Sequence, residues 1–126
     1  MNLFKRNYPI IRRELFAYKK NFAEMGQKRK EIIENNLRAD SVFRQVRILE
    51  RLNKTYKWCL LIKKYLSLCG EEELRFIDLV YFKKYSMVRV CTELYLSARA
   101  CQSRREDIFQ NIVLLAVQDR LIEISI

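Results

Sequence analysis

The sequence predicts an all-α protein, on three observations. Only two glycines and one proline interrupt the 126 residues, which is too few turn residues for many short strands and hairpins. Half of the residues are hydrophobic, enough for one modest core. Apolar residues recur at steps of three and four, as one face of a helix requires. We therefore expect a long N-terminal helical hairpin or coiled-coil arm, followed by a helix-turn-helix.

The first long helix is predicted to begin near Pro9, because a proline in the first helical turn loses no hydrogen bond. Gly26 is expected to weaken or bend this helix, whose pattern continues over 27–37. A break is predicted over 35–41, with Asp40 or Ser41 capping the next helix. The apolar stripe of the first helix consists of Ile11, Leu15, Tyr18, Phe22 and Met25.

A second long helix is predicted from Val42 to about Leu68, with Gly70 as its C-terminal cap. Residues 1–70 then form a basic arm of two long helices. The two helices could fold back on each other as a hairpin or pair between chains as a coiled coil, and the sequence leaves both open.

Residues 71–126 are predicted to form a helix-turn-helix domain with an apolar C-terminal tail. Three glutamates at 71–73 suit the start of a helix, which should end near 83–85 with Leu74, Ile77, Val80 and Tyr81 on one side. Ser86 then caps a short helix over 87–94, and Tyr95 and Leu96 form a tight turn. Ser97 caps a basic helix that runs through Ile108 and Ile112. This order of elements is typical of a helix-turn-helix.

The basic helix has suitable chemistry for the DNA major groove. Arg99 can bind guanine through two hydrogen bonds, Gln102 can bind adenine, and Ala98 can contact a thymine methyl. Ser97 and the first helical N–H groups can bind a phosphate. The predicted outward face is Ala98, Arg99, Gln102, Ser103 and Arg105, and the sequence leaves open whether Arg104 belongs to it. The predicted DNA-binding residues are Lys83, Lys84, Ser86, Arg89, Ser97, Ala98, Arg99, Gln102, Ser103, Arg104 and Arg105.

The positions of the charges along the sequence are more informative than the net charge. The net charge of +10 attracts polyanions but is equally typical of a solubilising surface, and most of it lies in residues 1–70. By contrast, the segment 83–105 holds six basic residues and one acid inside a region that is otherwise balanced.

Other classes of protein are disfavoured. There is no histidine and no glycine-rich phosphate loop, so we expect neither an enzyme nor a bound cofactor. The cysteines at 59, 69, 91 and 101 lack a Cys-x-x-Cys pair, so we expect reduced, mostly buried thiols and no metal site. The absence of a long apolar run or a secretory signal favours a cytoplasmic protein with no membrane partner.

The run LRFIDLVYFKKYS at 74–86, followed by ELYLS at 93–97, resembles region 4 of sigma-70-type factors. It is more similar to the phage late transcriptional regulators of Gram-positive bacteria, of the RinA and ArpU type. The segment IRRELFAYKK at 11–20 also resembles the opening helix of that family. The resemblance implies a sigma region 4-like helix-turn-helix that activates phage late genes in the host bacterial cytoplasm, with RNA polymerase as a further partner.

The segment 112–117 is apolar on every side of a helix, so it should be covered by the arm or by a second subunit, and we favour a homodimer.

An adaptor that binds RNA polymerase or another protein is the main alternative function. RNA binding by the basic arm is a weaker one, because the sequence suggests no aromatic stacking platform.

Overall fold

The computed structural model describes residues 3–35 and 42–122, and all regular secondary structure within these ranges is helical, which confirms the all-α class. No strand occurs in the described part of the chain. The helices are α1 (Leu3–Arg6), α2 (Tyr8–Asn35), α3 (Val42–Leu68), α4 (Glu71–Ile77), α5 (Met87–Leu94) and α6 (Ala98–Gln118), with a π-helical segment (Asp78–Phe82) after α4.

The two long helices have nearly the predicted bounds. Pro9 lies in the first turn of α2, and the helix passes through Gly26 without ending there. A side chain at Gly26 would meet no other atom within 4 Å, so this glycine faces open space. The predicted break over 35–41, with its cap at Asp40 or Ser41, lies outside the described residues after Asn35.

Gly70 does not have the predicted role. Its φ of −77° and ψ of 173° make it an extended residue before α4, whereas a glycine that caps a helix C-terminus adopts a positive φ. Helix α3 ends through local bonds, because the Cys69 N–H donates to the Leu66 carbonyl at 3.3 Å and the Cys69 thiol donates to the Tyr65 carbonyl at 3.3 Å.

Helix α4 begins with three glutamates, as predicted, and then changes its winding. The Lys83 N–H donates to the Asp78 carbonyl at 2.8 Å, a bond between residues five apart that defines a π-helical turn. The wider turn brings Leu79, Val80 and Tyr81 into the core together. Leu74, predicted to face inward with Ile77, Val80 and Tyr81, is instead exposed, and Phe76 of the same helix is fully buried.

One hydrophobic cluster joins the described helices. Helix α2 packs against α3, α6 and the π-helical segment, and α6 also packs against α3 and α5. Aromatic side chains connect the N-terminal and C-terminal parts: the Tyr8 and Phe109 rings are 5.0 Å apart, as are the Phe16 and Tyr81 rings. The boundary suggested at residue 70 stays a prediction, and the cluster continues across it.

The apolar segment of α6 is covered by the chain itself. Ile112, Val113 and Ala116 are fully or almost fully buried, and Ile122 is buried just after the helix ends. Leu114, on the same helix, is about half exposed. Over residues 3–35 and 42–122, no helix has both the length and the apolar character that a membrane crossing demands.

Candidate nucleic-acid interface

Two serine caps define the short unit formed by α5, a turn and α6. The Ser86 hydroxyl accepts a hydrogen bond from the Arg89 N–H at 3.3 Å, and the Ser97 hydroxyl accepts one from the Ala100 N–H at 3.1 Å. Both serines have extended backbones, as N-capping residues do. The starts of α5 and α6 are therefore fixed where the sequence predicted them.

The turn between the helices depends on Tyr95. This residue has a left-handed backbone with φ of 56°, and the next N–H, that of Leu96, donates to the Cys91 carbonyl at 3.0 Å. Many helices end with such a bond between an N–H and the carbonyl five residues earlier. Glycine is the usual residue in the left-handed position. The Tyr95 side chain is 95% exposed, so the strained backbone does not serve to bury its ring.

Small side chains allow α5 and α6 to approach closely. Val90 on α5 is fully buried, and the Cys91 sulfur lies 2.8 Å from the Cys101 sulfur of α6. All four cysteines are free thiols. Burial raises the pKa of Cys101 to about 11, so this thiol stays protonated at neutral pH and acts as a small packing residue.

The first turns of α6 present four of the predicted DNA-binding residues together. Ala98, Arg99, Gln102 and Ser103 are all exposed, and their spacing places them on one side of a helix with 3.6 residues per turn. The opposite side is held to the core by Cys101 and Ile108. This side of α6 is called the α6 face below.

Arg104 and Arg105 do not belong to the α6 face. Arg104 is 28% exposed and turns towards α4, where its guanidinium lies 3.6 Å from a Glu72 carboxylate oxygen. Arg105, which was predicted to point outward, is half-buried beside Phe109, and its Nε is buried without a hydrogen-bond partner. The reason is geometric, because both positions flank the buried stripe of Cys101 and Ile108 rather than oppose it.

The three cations expected to grip the DNA backbone lie in different surroundings. Lys83 pairs with Asp78 at 3.5 Å. Arg89 lies 3.6 Å from the centre of the Tyr85 ring, and its Nε is 3.1 Å from a Glu93 oxygen. Lys84 has a left-handed backbone with φ of 59° and lies in a groove with Arg105.

That groove is a feature that sequence reasoning missed. It lies between the first half of α2, Lys84 and the middle of α6, and it combines cationic side chains with aromatic rings. A signal for it exists in the sequence, because Arg12, Phe16 and Lys20 are spaced by four residues and therefore share one face of α2. This face lies beside the apolar stripe that predicted the helix.

The described residues contain no cluster of three or more cysteine, aspartate or glutamate side chains suited to a metal ion. Comparison of the chain with protein-family models, with curated proteins and with solved structures finds no match.

Proposed function

We propose that this protein is a sequence-specific double-stranded DNA-binding transcription regulator, an activator of phage late genes in the host bacterial cytoplasm. In this proposal α5, the turn at Tyr95 and α6 form a sigma region 4-like helix-turn-helix. Helix α6 enters the major groove, and α5 braces it across the groove.

The proposal rests above all on the α6 face. Arg99 and Gln102 are the two side-chain types that read guanine and adenine most directly, and both are exposed beside the small residues Ala98 and Ser103. Small neighbours allow the helix to lie deep in the groove. Ser97, at the positive end of α6, is suitably placed for a phosphate contact.

The rest of the chain has supporting roles in the same proposal. We assign α2 and α3 to a helical hairpin arm of the kind implied by the resemblance to RinA and ArpU regulators, with RNA polymerase as a further partner. A homodimer suits a pseudo-palindromic operator, and the half-exposed Leu114 on α6 is available for such a contact.

The test is DNase footprinting of the purified full chain on its own genomic neighbourhood, at two salt concentrations. The unmodified chain should give a discrete footprint that survives the higher salt, because base reading depends less on salt than phosphate attraction does. The double variant Arg99→Ala with Gln102→Ala should lose the footprint, since each lost base contact costs about 1–3 kcal/mol.

Arg51→Ala is the matched control, because Arg51 is an exposed arginine on α3, outside the unit formed by α5, the turn and α6. This variant should keep the footprint. If the double variant protects the same bases as the unmodified chain, base reading by the α6 face is wrong.

A protein-binding adaptor is the second candidate, and two exposed apolar side chains favour it. Val88 on α5 is 78% exposed, and Tyr95 in the turn is more exposed still. Clusters of such side chains are typical of protein contacts, although single ones are common. In that case the double variant Val88→Ser with Tyr95→Ser should lose binding to RNA polymerase while the α6 variants retain it.

A further inference from the structure

The groove beside α6 is strongly cationic. It has a volume of about 890 Å³, and the side chains of Lys5, Arg12, Arg13, Lys20, Lys84 and Arg105 line it. No carboxylate lines the groove in the described part of the chain. Of these cations Arg13 is partly neutralised by Glu14, 3.5 Å away, whereas Arg12, Lys84 and Arg105 have no described carboxylate within ion-pair distance.

The floor of the groove is aromatic. Tyr8, Phe16 and Phe109 line it, and a second cavity of about 240 Å³ shares Phe16 and Phe109 and reaches Tyr81. Arg12, Lys84 and Arg105 line both cavities. Cationic and ring surfaces therefore meet in one concave space.

Three buried polar groups around this space have no hydrogen-bond partner in the chain: the Tyr8 hydroxyl, the Tyr81 hydroxyl and the Arg105 Nε. Tyr81 is only 1% exposed. An unsatisfied buried donor costs about 1–3 kcal/mol, so such groups are rare in folded proteins unless something else binds them. The walls of the groove therefore hold unused hydrogen-bonding groups, and these atoms are closed to solvent in the free chain, as is the hydroxyl of Tyr65 outside the groove.

The charge and shape of the groove indicate which chemical class of ligand fits it. Several unpaired cations in a small volume suit a compact group with several negative charges, and guanidinium groups bind phosphoryl oxygens in pairs. The rings suit a planar apolar part of the same molecule. The volume falls in the range of about 300–1,000 Å³ that is usual for small-molecule sites.

We propose that this groove binds a nucleoside di- or triphosphate. Arg12, Lys84 and Arg105 hold the phosphoryl groups, and the base packs against Tyr8 and Phe16. Duplex DNA fits less well, because it presents phosphates on a convex surface and keeps its base rings stacked inside, where the aromatic floor could not reach them. An acidic peptide has single, separated charges. This inference does not depend on DNA binding by the α6 face.

The experiment is isothermal titration calorimetry of the full chain with ADP, ATP and GTP, and separately with adenosine and tripolyphosphate. The nucleotides should bind, and adenosine and tripolyphosphate should each bind more weakly than ATP. Arg12→Gln should weaken ATP binding by roughly tenfold or more, because one charge-assisted contact is lost. Lys57→Gln, which removes an exposed cation of α3 away from the groove, should leave ATP binding unchanged.

Two further variants separate the parts of the site. Phe16→Leu should weaken ATP more than tripolyphosphate, because it removes the ring against which the base packs. The loss of its contact with Arg12, whose guanidinium lies 5.6 Å from the ring centre, affects both ligands alike. Lys84→Gln tests the phosphate contacts at an exposed position, so the proposal stays testable if Arg12→Gln fails to fold, which circular dichroism would reveal.

The results that overturn the inference are distinct. Absence of nucleotide binding overturns it, as does equal weakening by Arg12→Gln and Lys57→Gln. Tripolyphosphate binding as tightly as ATP removes the nucleoside part. Binding of duplex DNA or a polyglutamate peptide that depends on Arg12, without nucleotide binding, assigns the groove to a macromolecule. If the Arg99→Ala, Gln102→Ala variant still binds ADP, nucleotide binding in the groove is independent of DNA binding by the α6 face.

Discussion

Arg104 and Arg105 are adjacent in the sequence, yet their side chains lie in different surroundings. Arg104 reaches across to Glu72 of α4, whereas Arg105 is held beside the aromatic residues of α2 and α6. The sequence predicts both residues as DNA contacts, with Arg105 on the outward face of the helix. Their positions relative to Cys101 decide otherwise, because a helix turns by about 100° per residue.

The first prediction concerns the unsatisfied Nε of Arg105. Arg105→Leu should leave the free energy of unfolding unchanged or raise it by up to about 1 kcal/mol, because an apolar side chain removes an unpaired buried donor and fills similar space. Urea denaturation measures this change.

Arg99→Leu provides the comparison, because Arg99 is exposed and its replacement should change stability by less than about 0.5 kcal/mol. A loss of more than about 2 kcal/mol for Arg105→Leu would mean that the guanidinium makes a stabilising contact in the free protein, contrary to its description as an unpaired donor.

At the scale of the element, the capping serines define the two helices of the proposed DNA-binding unit. Four N–H groups at the start of a helix lack partners within it, and the Ser97 hydroxyl satisfies one of them. The sequence predicts this bond, since a serine before a run of helix-forming residues is a strong local signal. The π-helical turn at Asp78–Phe82 had no such signal, because it accompanies tertiary packing that buries Leu79, Val80 and Tyr81 where the segment meets α2 and α5.

Ser97→Ala should lower the free energy of unfolding by about 1 kcal/mol, because the Ala100 N–H loses its partner. It should also weaken DNA binding, since the first turn of α6 frays. Urea denaturation and the footprinting assay measure the two effects.

Ser103→Ala is the matched control inside the same helix. Ser103 is exposed and caps nothing, and alanine favours a helix more than serine does, so stability should be unchanged or slightly higher. Equal losses for the two variants would contradict the capping role of Ser97.

At the scale of the molecule, helix α2 belongs to the same hydrophobic core as the C-terminal helices. Ile11 and Leu15 of α2 are fully buried in the cluster that contains Ile108 and Ile112 of α6. A core of this kind couples the two parts of the chain, because neither could expose its apolar surface without a cost of about 25 cal/mol per Å².

Leu15→Ala should therefore destabilise the whole molecule by about 2–5 kcal/mol, in a single cooperative transition seen both in the far-ultraviolet circular dichroism and in the fluorescence of Trp58. Trp58 lies on α3 in the same cluster, so its fluorescence reports on the shared core.

Ile10→Ala, at the more exposed neighbouring position, should cost less than about 1.5 kcal/mol. Two separate transitions in the Leu15→Ala variant, one for the arm and one for the rest, would contradict a shared core.

The sequence by itself determined the helical class, the bounds of α3 and α5, the start of α6 and the two serine caps. These features depend on interactions within a few residues: a cap, a turn or an apolar repeat, all of which can be recognised locally. It also brought Ala98, Arg99, Gln102 and Ser103 together, since helical spacing alone places them on one side.

Only the tertiary structure decided the role of Gly70, the π-helical turn, the inward position of Arg105 and the groove that joins α2 to α6. Each of these depends on which distant segment packs against a given face. The cations at Arg12 and Arg105 are separated by most of the chain, and only the packing of α2 on α6 brings them to one site. A pattern along the chain records which face of a helix is apolar, but it does not record what lies opposite that face.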